Sequence, residues 1–269
     1  MRETPTFVQV SGGRTSGMMA YLLRDKPNHF FCFQNTGREA KVTYDFLNRM
    51  DNEWGLNLIW LEYYCPDRTK EAVAKVVSYE TARREKPGSN DGPFSELNDK
   101  RQAIPNKAMR FCTIELKIKT MRRYIRDNGI TRWNYAVGFR ADEPHRQTVS
   151  DTMQTVITPL RDIGITAKDV AEFWKAQPFD LDLPIMPNGK TFGGNCEGCF
   201  WHSEFQHAHL SKNSPESYQW LIEQEKKHGH TFNSEYSYEQ LKQHIKDAPE
   251  FIFDLEDGLC MSTNGSCGI

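Results

Sequence analysis

Apolar residues occur in short β-rich runs separated by stretches with helical spacing. Residues 6–10 read as a strand that runs into a Gly-rich turn. Met18, Met19, Tyr21, Leu22 and Leu23 then repeat with the period of a helix over 16–24. Residues 29–34 predict a buried strand ended by Asn35-Thr36-Gly37, and 42–50 a second helix. Residues 56–63 and 133–139 predict two further strands. Strands alternating with helices predict an α/β fold: a Rossmann-like parallel sheet with helices on both faces.

The stretch 80–109 is polar, with Lys86-Pro87-Gly88 and Asn90-Asp91-Gly92 as turn signals, and reads as an active-site lid or mobile insertion. Residues 114–126 predict a basic amphipathic helix, and 140–147 a charged loop at the end of a strand. Thr166 with Asp169 predicts a capping box opening a helix, as do Ser237 and Gln240. Ser214-Pro215 predicts a third helix start, with Ser as the cap. Composition changes near Gln177, where prolines and glycines lead into Cys196-Glu197-Gly198-Cys199. This divides the chain into an α/β nucleotide-binding domain over 1–177 and a small helical, Cys-containing region over 178–269 packed on it.

The chain has 269 residues, 38% hydrophobic and 26% charged, enough apolar content for a sizeable core. A formal net charge of −2 argues against whole-surface attraction to nucleic acid. No apolar run approaches membrane-spanning length and no signal-peptide core precedes the first strand, so a cytoplasmic location without a membrane partner is expected. A homodimer is left open. In a reducing compartment, seven cysteines pose a question of metal ligation or thiol chemistry, not of a disulfide framework.

The string Ser11-Gly12-Gly13-Arg14-Thr15-Ser16 stands where a strand meets a helix N-terminus. Unpaired amides and the helix dipole favour an anion there. Gly12 and Gly13 admit a close backbone approach, Ser11, Thr15 and Ser16 offer hydroxyls, and Arg14 offers charge. A Gly-Gly turn alone would be an ordinary connection; the whole string in this context points to phosphate.

The string resembles the PP-loop of the ATP pyrophosphatases, Ser-Gly-Gly-x-x-Ser, with Thr15 where that loop usually has Asp. Three later segments resemble the PAPS-reductase-like branch in the same order: Phe33-Gln34-Asn35-Thr36-Gly37-Arg38-Glu39, Arg110-Phe111-Cys112-Thr113-Ile114-Glu115-Leu116-Lys117, and Gly138-Phe139-Arg140-Ala141-Asp142-Glu143. The resemblance implies an adenine nucleotide alpha-hydrolase-like fold with the nucleotide across the C-terminal strand ends. It implies ATP, or PAPS or APS, with Mg²⁺, and Asn35, Thr36 and Gly37 near the adenosine. Arg110, Lys117, Arg140 and Arg146 would face phosphate or sulfate, to which the guanidinium fork is suited, with Arg110 and Arg140 acting in catalysis. Taken singly, each of these basic residues reads as a solvated surface charge.

Cys196 and Cys199 have a metal-type spacing, and Cys112 opens the basic helix. By resemblance to iron–sulfur members, these three would hold a [4Fe-4S] cluster; zinc with Cys260 or His202 is the alternative. Cys267-Gly268-Ile269 resembles the tail of sulfonucleotide reductases, where the cysteine attacks sulfur, although Ser266 replaces Glu. Cys32 reads as core and Cys65 has no assigned role. His202, His207 and His209 read as surface residues. Phe200 and Trp201 read as packing for the cysteine loop. The basic helix reads as a solvated face in preference to a nucleic-acid backbone contact.

Three functions follow. One is an ATP-dependent sulfurtransferase that adenylates an acceptor, with nucleic acid as the possible acceptor class. The second is a PAPS or APS reductase partnered by a thioredoxin-like reductant. The third is a nucleotide- or nucleic-acid-binding accessory protein without turnover.

Overall fold

The computed structural model describes residues 4–184, 191–192 and 196–247. Its elements are β1 (Thr6–Gln9), α1 (Arg14–Leu23), β2 (His29–Asn35), α2 (Lys41–Trp54), β3 (Ile59–Tyr64), β4 (Val73–Val77) and α3 (Pro93–Arg101). A π-helical segment, Thr113–Lys119, then runs directly into α4 (Thr120–Asp127). β5 (Trp133–Ala136), β6 (Gln154–Ile157), α5 (Pro159–Asp162) and α6 (Ala167–Lys175) follow, and α7 (Glu204–Asn213), α8 (Pro215–His228) and α9 (Tyr238–Asp247) close the described chain.

The sheet runs β4-β3-β2-β1-β5-β6. Five strands are parallel, in register Thr6↔His29 between β1 and β2 and Thr6↔Asn134 between β1 and β5. β4 is the antiparallel exception at one edge. The chain lays β1, β2 and β3 outward on one side, then returns to place β5 on the other side of β1. Strand order therefore reverses between β1 and β5, the place where folds of this kind bind ligands, and the loops leaving their C-terminal ends meet there through Arg140 and Thr15.

Alternation along the strands makes two faces. Val8, Phe31, Phe33 and Trp60 point into a core with α1, α2 and α6. Phe7, Cys32, Leu61 and Tyr135 point the other way, onto Met121 and Ile125 of α4. Cys32 is fully buried there, as expected of a core cysteine. The C-terminal helices do not form a separate apolar unit. Trp220, Leu221, Phe205 and Tyr238 share one core with Phe94, Leu97 and Leu116, while Phe179, Leu181 and Leu183 return to the α1–α2 core.

The stretch 80–109 is not a lid. It contains α3, which is wedged into the protein with Phe94, Ser95, Glu96, Leu97 and Asn98 buried. The Glu85 carboxylate accepts from Phe94 N (2.7 Å), Ser95 N (2.9 Å) and Ser95 Oγ (2.5 Å), serving the helix N-terminus in place of a conventional cap. The capping boxes at Thr166 and Ser237 form. Pro215 begins α8, but Ser214 supplies no side-chain cap. Among the described residues, no helix is long and apolar enough to cross a membrane.

Candidate functional site

The phosphate-type loop lies at the C-terminal end of β1, beside the reversal point. Gly12 has φ +82°, and a Cβ there would stand 2.4 Å from Thr43 Cγ2, so this position requires glycine. Gly13 is the extended residue before α1, and no side chain caps that helix. Helix geometry leaves the first-turn amides without intrahelical acceptors. The Ser16 hydroxyl organises the turn: Oγ accepts from Ser11 N (3.1 Å), lies 3.0 Å from Ser11 Oγ and donates to Gly13 O (2.9 Å). Ser11 is exposed while Thr15 and Ser16 are buried.

The basic residues around this loop are engaged. Arg14 turns outward and forms a bidentate pair with Asp180 (2.7 and 2.5 Å). Arg140 is buried at 5% exposure; its Nη1 reaches Thr15 Oγ1 (3.4 Å) and its Nε pairs with Asp142 (2.9 Å). Arg146 pairs with Glu143 (3.1 Å) and stacks on the Phe139 ring (3.9 Å to the centroid). The charged loop after β5 is thereby brought against the loop after β1.

At the end of β2, Asn35 is wholly enclosed. Its amide donates to Glu62 (2.7 Å) and Arg83 O (2.8 Å), and its carbonyl accepts from Gly37 N (2.9 Å) and Tyr44 OH (2.6 Å). Asn35 therefore builds the turn, and Gly37 completes it with φ +80°. Thr36 faces elsewhere. Its Oγ1 donates to Glu39 Oε1 (2.8 Å) and lies 3.3 Å from Cys196 Sγ.

Cys112, Cys196 and Cys199 line one cavity of about 40 Å³, together with Thr36, Arg110, Lys117 and Trp201. Cys112 sits at the start of the π-helical segment. Cys196 makes an isolated antiparallel bridge to Glu39, and Glu197 N donates to Arg38 O (2.6 Å). Arg38, 3% exposed, returns the contact by donating to Glu197 O (2.8 Å) and Ser217 Oγ (2.8 Å), with its guanidinium over Trp220 (4.4 Å). Gly198 has φ +73°, and a Cβ there would stand 2.1 Å from Leu221 Cδ1. The CxxC turn is thus fixed by β2's exit on one side and α8 on the other. Neither Arg38 nor Glu39 was legible as a site residue, because each reads as an ordinary charge in sequence.

Burial and then the Glu39 carboxylate push the Cys196 thiol up to about 12, and burial also raises Cys112, partly offset by Lys117. Both are thiols at neutral pH in this state. Three thiols on one cavity are donors of the kind soft metals take. As folded, however, no three Cys, His, Asp or Glu side chains among the described residues converge on a common ligation point. The donor types suit a metal centre, but the geometry does not form one.

Of the three histidines following the CxxC, His209 bonds Asn213 near the surface as expected, whereas His207 corrects the sequence expectation. His207 is 1% exposed and bonds Tyr238 OH through Nε2 (3.1 Å). Burial pushes it down to about 3, and pushes the neighbouring His202 down to about 4. α7 carries the His207 ring inward because Phe205, Ala208 and Leu210 on the same helix are core. Phe200 packs into the core as expected, and the half-buried Trp201 packs against the same core while lining the cavity, with Arg110 (5.4 Å) and Lys107 (6.0 Å) at its ring. The basic helix is tied down by ion pairs: Arg101, Lys119 and Arg123 all converge on Glu115, and Arg122 pairs with Asp151. Cys260 and the proposed catalytic Cys267 lie outside the described residues.

No family model matches the chain. An uncharacterized nin region protein, ORF290, of Escherichia phage lambda is 29% identical over 199 residues. That match covers 71% of this chain and 64% of the phage protein, so the chain spans less than two thirds of its relative's length. Among solved structures, a phosphoadenylyl-sulfate (PAPS) reductase from Candida auris in complex with phosphate aligns with a TM-score of 0.42 at 12% identity. The alignment covers 65% of this chain and 73% of that one.

Proposed function

We propose that the chain is a PP-loop enzyme of the PAPS-reductase-like kind, which binds ATP with its phosphates on the 11–16 loop and transfers sulfur at the Cys112–Cys196–Cys199 cavity. The observation that carries this reading is the Thr36 contact: the segment leaving β2 beside the phosphate loop has its hydroxyl on the Cys196 thiol. The 11–16 turn and the thiol-lined cavity are thereby read as two parts of one site at the ends of the neighbouring strands β1 and β2.

In this reading an acceptor oxygen attacks the α-phosphorus of ATP, forming an acceptor–AMP ester and releasing pyrophosphate. First-turn amides of α1 and the Ser11 hydroxyl hold the leaving pyrophosphate, and Arg140 and Arg146 shift from their carboxylates toward the growing charge. A Mg²⁺ ion accompanying the nucleotide would supply charge neutralisation for the leaving pyrophosphate. An external persulfide donor places a second sulfur on one cavity cysteine. That terminal sulfur attacks the activated carbon, expels AMP and leaves the product joined to the protein by an S–S bond. A neighbouring thiolate cleaves this bond, releasing the thiolated product. The resulting protein disulfide is returned to two thiols by a thioredoxin-like dithiol reductant.

The acceptor class proposed is nucleic acid, because Arg110 and Trp201 line the cavity and Lys107 also approaches the Trp201 ring, a combination suited to phosphate and a base face. A [4Fe-4S] cluster or zinc on the three cysteines is a separate proposal that requires the thiols to close up. Iron, sulfide and zinc analysis after anaerobic purification tests it.

The direct test of the activity is pyrophosphate release from ATP, with sulfite release from PAPS or APS as the second arm. Pyrophosphate supports adenylation, sulfite supports sulfonucleotide reduction, and neither product leaves a binding protein without turnover.

A further inference from the structure

The loop after β5 carries Arg140 and Arg146, and its own turns, Glu143 N to Arg140 O (3.3 Å) and Arg146 N to Glu143 O (3.1 Å), are braced from outside the loop. Arg161, on α5, extends one guanidinium across it. Nε donates to Arg140 O (3.3 Å), while Nη2 donates to both Glu143 O (2.7 Å) and Arg146 O (3.0 Å). The same guanidinium lies over the Phe139 ring (5.3 Å), which also carries Arg146 (3.9 Å). Two further bonds tie this loop to the chain just beyond Arg161: Ala141 N to Ile165 O (2.8 Å) and Ala167 N to Asp142 Oδ2 (3.2 Å). At its other end the loop places Arg140 Nη1 on Thr15 of the phosphate loop.

We infer that Arg161 is a positioning residue for the phosphate site: it gathers three carbonyls of the 140–146 loop and so holds Arg140 against Thr15. The inference rests on the reading that the 11–16 loop binds nucleotide phosphate. Arg161 spends its donors on backbone oxygens, so its effect on an anion passes through Arg140. The planar fork suits this task, since one rigid group serves three acceptors. A lysine ammonium keeps the charge but not the fork. Without the clamp Arg140 would keep only the carboxylate contacts it already makes within the loop, to Asp142 (2.9 Å) and Glu143 (3.6 Å).

The test is a double-mutant cycle read by equilibrium ATP binding. Arg161→Gln is expected to weaken ATP about tenfold, the scale of one lost charge-assisted hydrogen bond. In an Arg140→Ala background the same change is expected to cost no more than about twofold, because the route is already cut. Arg161→Lys, which retains charge and stem packing, serves if the Gln variant does not fold, with most of the same loss expected. Hydrogen exchange without ligand adds a second readout: faster exchange at 140–146, with 18–23 of α1 unchanged. Equal losses from Arg161→Gln with and without Arg140 overturn the inference, as does unchanged ATP affinity. Failure of the unmodified protein to bind ATP overturns instead the nucleotide reading on which the inference depends.

Discussion

Thr36 Oγ1 lies 3.3 Å from Cys196 Sγ and donates at 2.8 Å to Glu39 Oε1, so a strand-end hydroxyl stands between a thiol and a carboxylate. Glu39 Oε1 is itself 3.9 Å from the sulfur. The negative charge opposes thiolate formation, adding to burial. Glu39→Gln is therefore expected to lower the Cys196 pKa and speed its alkylation by iodoacetamide several-fold at pH 8, since each unit is tenfold in thiolate. Peptide mass spectrometry reads the site. An unchanged or slower rate would show that the carboxylate does not control this thiol.

Two substitutions in the 11–16 loop separate folding from the proposed nucleotide binding. Gly12→Ala combines a left-handed backbone with a Cβ 2.4 Å from Thr43 Cγ2. It is expected to cost about 2–4 kcal/mol of stability by denaturant unfolding. Ser16→Ala removes a hydroxyl that bonds Ser11 N and Gly13 O. It is expected to cost only about 1–2 kcal/mol of stability but to weaken ATP about tenfold.

Much of this loop was legible because its chemistry is local. Strand, Gly-rich turn and helix follow one another in 18 residues, Thr6 to Leu23, and the structure realises them in that order. α3 was hidden for a physical reason: its buried face includes Ser95, Glu96 and Asn98, whose partners are Glu85, Arg83 and Gln224. A polar face satisfied by distant residues has no apolar period to read. β4 was hidden because Val73 and Val76 are exposed on an edge strand, and β6 because the one fully buried residue of its four is the polar Gln154. The three cysteines were legible as a set, and the structure does place them on one cavity. Arg38, Glu39 and Arg161 were not, since their roles depend on contacts across 159, 157 and 15–21 residues.

The Arg110 and Trp201 wall of the cavity offers a charge test. Arg110 stands 5.4 Å from the Trp201 ring centroid. Arg110→Glu is expected to weaken a single-stranded oligonucleotide about tenfold or more at low salt, with the difference shrinking as salt rises. Fluorescence anisotropy across a salt series measures it. Equal affinity of both proteins at every salt would remove nucleic acid as the acceptor at this face.

Stability should carry a pH signature at Glu225. Burial pushes its carboxyl up to about 7, despite hydrogen bonds from Tyr238 N (2.7 Å) and Phe232 N (3.0 Å). The folded state thus holds this proton more tightly than the unfolded chain. Its contribution is complete below the ordinary Glu value of 4.5 and is lost as pH rises through about 7. Chemical unfolding from pH 5 to 8 is expected to show a downward slope that Glu225→Gln flattens. The same slope in both proteins would assign the pH dependence to another group.

The account stands on nucleotide phosphate entering the turn between β1 and α1. Calorimetric titration of the full chain with Mg-ATP, beside Ser16→Ala and a Cys112→Ser/Cys196→Ser double variant, addresses that most directly. One-to-one binding that Ser16→Ala weakens about tenfold and the cysteine changes leave intact is the expected result. No heat of binding at millimolar ATP, or equal affinity in Ser16→Ala, would contradict it.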